Sequence, residues 1–147
     1  MTDRRTKTIT TRAARCVYLA AILLIIPIGL FARSHRDGAD ASTLAGFVAT
    51  YLGDVLWATM FFLVFALITP RRSTLVLSAI TLVFTLGIEA SQLYQGEPLK
   101  TLRAFKPTGF LLGKQFLWSD VACLVVGTAL AAGLHRLFMP QTLKHDT

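Results

Sequence analysis

The chain has 147 residues, 54% of them hydrophobic and only 16% charged, with a mean hydropathy of +0.58. A soluble domain carries about 25% charged residues, so this composition excludes an ordinary soluble domain and points to a membrane protein whose first partner is the lipid bilayer. Lys and Arg total 15 against 8 Asp and Glu, a formal charge of +7, but the cations flank apolar runs in "DRRTKTITTRAAR", "TPRRST" and "LHRLF". That placement suits anionic headgroups and membrane insertion, and no nucleic-acid partner is expected.

Residues 1–15 form a basic tail, and the first apolar run follows at 16–32, "CVYLAAILLIIPIGLFA", between Arg15 and Arg33. Seventeen residues at about 1.5 Å each reach about 26 Å, enough to span. A basic front, a compact apolar core and the small-residue triplet "ADA" at 39–41 resemble a cleaved leader. Arg33, Arg36, Asp37 and Asp40 lie between core and triplet, which disfavours cleavage, so the run is taken as the first transmembrane helix.

The second span is predicted at about 51–69, stopped by Pro70, Arg71 and Arg72. Asp54 falls in its first turn, where the helix dipole and headgroups make an acid cheap. The third span is predicted at about 73–94. Glu89 lies near its end, where the dipole disfavours negative charge, and Gln92 shares its face three residues on. An acid so placed is expected to face a polar cavity or a partner rather than acyl chains.

The loop 95–119 carries Lys100, Arg103, Lys106 and Lys114. Arg103 is the expected partner of Glu89 or Asp120, with a solvated or headgroup-bound arginine as the alternative. The stretch "TGFLLGKQFLWSD" is too apolar for an exposed loop and too short and broken to span, so an interfacial or re-entrant segment is expected before the last helix. The fourth span is predicted at about 120–138, opened by Asp120 in a capping position and rich in small residues such as Gly127 and Ala131 that permit close packing. Residues 139–147 form a second tail. The predicted fold class is therefore all-α: a polytopic integral membrane protein whose single domain, 16–138, has four transmembrane helices.

An even number of spans puts both termini on one side, which then holds nine Lys and Arg against six on the other. The basic first tail makes that side the cytoplasm, and Asp54, Glu89 and Asp120 then fall at similar depth near the outer face. Cys16 and Cys123 form no CxxC pair, and His35, His135 and His145 are scattered, so no metal, cofactor or catalytic residue is assigned and an enzyme is disfavoured. The inner half of the four spans is read as free of acid and histidine, which would leave a proton path incomplete.

The segments "YLGDVLWA", "IEASQLYQ", "LKTLR" and "FLWSDVACLVVG" resemble, across about 16–137, the small bacterial membrane proteins of domain of unknown function 2809. Those are in turn similar to the VanZ-like family, one founding member of which is linked to teicoplanin resistance. The resemblance rests on Glu89, Gln92, Arg103, Asp120 and Gly127 in order; Leu124 stands where the pattern has a polar or aromatic residue. It implies four helices and a shared polar cluster, in a bacterial cytoplasmic (plasma) membrane and the cell-envelope setting, but no reaction. The expected function is a polar pocket of Glu89, Gln92, Arg103, Asp120 and Asp54 that binds a lipid headgroup or lipid-linked envelope intermediate, with Lys100, Lys106 and Lys114 as anion contacts. The alternatives are a structural or assembly protein whose polar cluster only pins helices, and an ion-coupled transporter. Nothing in the sequence sets an oligomeric state.

Overall fold

A computed structural model describes residues 2–34, 42–70, 72–94, 96–97, 101, 104 and 117–138. Four long helices make up the fold: α1 (Thr2–Ser34), α2 (Leu44–Ile68), α3 (Thr74–Ser91) and α4 (Trp118–Phe138). There is no strand among the described residues. Each helix contains a stretch long and apolar enough to cross a membrane: Arg12–Ala32, Leu44–Ile68, Thr74–Ser91 and Trp118–Leu137. The chain is thus an all-α, multi-pass membrane protein.

The helix ends differ from the sequence expectation in instructive ways. α1 starts at Thr2, so residues 2–15 of the basic segment are helical and continuous with the first span. α2 starts at Leu44, seven residues before the expected position 51. Its start is fixed by Thr43, whose extended backbone and hydroxyl, accepting from the Gly46 N–H at 3.1 Å, make an N-cap. Ser73 caps α3 in the same way through the Val76 N–H at 3.4 Å. Of the expected interfacial segment, 108–116 lie outside the described residues and 118–120 form the first turn of the last helix; the C-terminal tail 139–147 and the "ADA" triplet also lie outside the described residues.

α2 is the hub: α1, α3 and α4 all pack on it, and α3 also packs on α4. Contacts set the directions. Gly29 of α1 meets Leu56 of α2, while Tyr18 joins the buried cluster around Phe62, so α1 and α2 are antiparallel. Thr59 bonds to Gly127 and Phe62 packs on His135, so α2 and α4 run parallel.

Buried positions recur at helical spacing: Asp54, Ala58, Phe62 and Ala66 on α2, and Leu77, Thr81, Thr85 and Glu89 on α3. On α4 the matching stripe is Asp120, Leu124, Thr128, Ala131 and His135. The opposite faces are apolar and exposed, as at Leu23, Leu24, Phe31, Leu75, Val83 and Leu137. Such faces need lipid, since in hydrocarbon they cost nothing and in water they would drive aggregation.

The buried threonines do not leave their hydroxyls stranded. Thr81, Thr85 and Thr128 each donate to the carbonyl four residues back, at 2.8 Å. Thr59 donates to the Val55 carbonyl at 3.0 Å and also reaches the Gly127 carbonyl of α4 at 3.1 Å. That second bond crosses a close approach of α2 and α4. A Cβ on Gly127 would run into the Val55 backbone carbonyl, so only glycine permits this α2–α4 distance.

Candidate functional site

The site is built where α3 ends and α4 begins. Glu89 is the last member of the buried α3 stripe, two residues before the helix ends at Ser91, and is 6% exposed. The sequence expectation ran α3 on to 94, which would set Glu89 deeper; the shorter helix brings it close to the end. Gln92, the C-cap residue, is 5% exposed and donates its side-chain N–H to Glu89 Oε2 at 2.7 Å. The backbone N–H of Leu117, the residue preceding α4, points to Glu89 Oε1 at 3.4 Å.

This resolves the electrostatic problem that the sequence poses. At the end of its own helix Glu89 sits at the unfavourable pole of the dipole, but it abuts the N-terminal pole of α4, where exposed N–H groups favour an anion. Both carboxylate oxygens accept N–H bonds, which lowers the cost of burying the group.

Asp120 occupies the first turn of α4 and is 8% exposed; the Ser119 hydroxyl donates to its Oδ1 at 3.2 Å. The Leu117 carbonyl receives the N–H groups of Asp120 and Val121 at 3.0 and 3.4 Å, so the residue that contacts Glu89 also anchors the turn holding Asp120. Glu89, Gln92 and Asp120 are thus brought to one end of the bundle.

Asp54 departs from expectation. With α2 starting at Leu44 it is not a first-turn acid; it lies ten residues in, about 15 Å along the helix, and is 6% exposed. Matching α2 to α4 through the Thr59–Gly127 bond sets Asp54 only about 3 Å along the axis from Asp120, roughly half a turn deeper. Among the described residues, no three Asp, Glu, His or Cys side chains are grouped closely enough to hold a metal ion. Arg103, Lys100, Lys106 and Lys114 lie outside the described residues.

One buried polar pair was missed by sequence reasoning. His135, in the last turn of α4, is 9% exposed, and its Nδ1 lies 2.9 Å from the Tyr18 hydroxyl of α1. Phe62 of α2 packs edge-on against the same imidazole, with ring centroids 5.5 Å apart. The expectation that the inner half of the bundle lacks histidine is therefore wrong. The signal was present: His135 follows Thr128 by seven and Ala131 by four, on the buried face of α4.

A helical bundle with apolar outer faces and four membrane-length helices, with buried Asp54, Glu89 and Asp120, is that of a polytopic membrane protein. A family model described as "Protein of unknown function (DUF2809)" matches residues 43–128. The chain belongs to that family. The match covers α2, α3 and the first half of α4, including Asp54, Glu89, Gln92, Arg103 and Asp120, but neither Tyr18 nor His135. No solved structure matches the chain.

Proposed function

We propose that the protein binds an anionic lipid headgroup or lipid-linked envelope intermediate at the end of the bundle where α3 meets α4, with that end outside a bacterial cytoplasmic membrane and both termini inside. The observation that carries this reading is the buried carboxylate of Glu89, fixed by Gln92 and the Leu117 N–H. A fixed anion at the mouth of the bundle orients cations of the adjoining basic loop and offers an acceptor to amines and hydroxyls. Lys100, Arg103, Lys106 and Lys114 supply the attraction for phosphate, at about 1 kcal/mol per cation near a charged surface.

The test uses purified protein in neutral detergent with short-chain phosphatidylglycerol, cardiolipin and undecaprenyl phosphate as probes. A ligand bound by the native state raises the thermal midpoint in a concentration-dependent way. Replacing all four loop cations by Gln is expected to remove the shift produced by at least one of these lipids. Unchanged shifts with every one would overturn the reading. The orientation is checked separately: an alkaline phosphatase fused after Thr147 is expected to be inactive, and one inserted in the 95–116 loop active.

A further inference from the structure

We propose that the bundle end opposite Glu89 binds the headgroup of an anionic phospholipid at the gap between α1 and α4, with its phosphate drawn between Arg15 and Arg136. The gap follows from the packing. Among the described residues α1 and α4 both pack on α2 but not on each other. Tyr18 and His135 bridge them, hydroxyl to Nδ1 at 2.9 Å, with ring centroids 6.0 Å apart. α1 runs antiparallel to α2, and α2 parallel to α4, so the N-terminal part of α1 and the last turn of α4 reach the same end of the bundle.

The rim of this gap is cationic. Arg15 lies three residues, about 4.5 Å of helix, before Tyr18, and Arg136 directly follows His135. Arg12 is about one turn further out on α1. All three are exposed, and none forms an ion pair with a described residue. Among the described acids, Asp54, Glu89, Glu97 and Asp120 stand toward the other end, and Asp3 is nine residues, about 13 Å of helix, beyond Arg12. Cations gathered without an acid between them repel one another, and a bound anion relieves that repulsion. His135 adds a donor. With the Tyr18 hydroxyl donating to Nδ1, the ring proton sits on Nε2, which makes no bond to any described residue. A phosphate oxygen can accept from that N–H and from either guanidinium.

Depth selects the source of the anion. The span of α1 begins at Arg12 and that of α4 ends at Leu137, so Arg12, Arg15 and Arg136 sit where hydrocarbon gives way to headgroups. A lipid phosphodiester is held at that level, and soluble phosphate is not. Toward the bilayer centre both helices carry exposed apolar side chains, Leu19 and Leu23 on α1 and Leu130 and Leu134 on α4, a surface for the acyl chains. This site uses none of the cations of the 95–119 loop and does not depend on the headgroup reading at the other end.

The experiment counts lipids bound to the full chain by native mass spectrometry in neutral detergent, with phosphatidylglycerol as probe and zwitterionic phosphatidylcholine as comparison. Arg15→Gln combined with Arg136→Gln is expected to bind one phosphatidylglycerol fewer than wild type at the same lipid concentration, each arginine contributing roughly fivefold in affinity. The loop cations are present in both proteins, so whatever they bind cancels. Arg72→Gln removes an equally exposed arginine from the turn into α3, which does not pack on α1, and is expected to bind as wild type does. Phosphatidylcholine is expected to bind equally to all three proteins. Equal phosphatidylglycerol counts in wild type and the double variant, an equal loss from Arg72→Gln alone, a loss that extends to phosphatidylcholine, or displacement of the lipid by millimolar inorganic phosphate overturns the proposal.

Discussion

Replacing Gly127 by valine is expected to prevent the protein from accumulating in the membrane. The α2–α4 contact places the Val55 carbonyl where even a Cβ would stand, and the Ala58 methyl only 3.0 Å from it. Backbone cannot yield as a flexible side chain can, so the helices must part. Parting them breaks the Thr59–Gly127 bond and loosens Ala58 and Phe62 behind it. Overpacking of a tight core costs about 1–3 kcal/mol and more where backbone is met. Gly127→Ala is expected to lower the thermal midpoint in detergent, and Gly127→Val to abolish the folded species. Gly133, on the same helix with open space around its Cα, is the control: Gly133→Ala should leave accumulation and midpoint unchanged. Equal tolerance of alanine at 127 and 133 would refute the close approach.

The second large effect concerns Glu89 and separates a working site from a helix pin. Glu89→Gln keeps shape and one acceptor oxygen, so the Leu117 N–H or the Gln92 amide retains a partner while the charge is lost. It is expected to accumulate near the wild-type level, measured by quantitative blotting of membranes, and to lose the ligand-induced thermal shift. Glu89→Leu removes both acceptors and strands donors at the α3–α4 junction, at about 1–3 kcal/mol for each buried group. It is expected to accumulate poorly. Should Glu89→Gln also fail to accumulate, the carboxylate is architectural and the binding function is refuted.

Hydropathy made the spans legible because lipid demands it: any segment that crosses must be apolar for its whole length. What it misplaced were the edges. Thr43 caps a helix whose first seven residues, "LAGFVAT", are mostly apolar, so the earlier start was legible; reading the span from 51 left those residues outside it and set Asp54 in a first turn. Glu89 and Gln92 were legible as a pair because i and i+3 on a helix must be neighbours. The Leu117 contact was not, since it joins positions 28 apart through two helix ends. The Tyr18–His135 pair is further still, 117 residues apart, and a lone histidine beside Arg136 looks like part of a basic terminus. Only the buried period of α4 marks it as interior.

The junction at Glu89 also bears on how the chain is made. Position 89 leaves the ribosome before residue 117, so α3 first meets the bilayer with its carboxylate lacking the backbone amide that later receives it. Until α4 arrives, a protonated side chain or the shelter of the insertion machinery must carry that burden. Release of the third helix into lipid is thereby tied to synthesis of the fourth, and the two are expected to leave the translocon as a hairpin rather than one at a time.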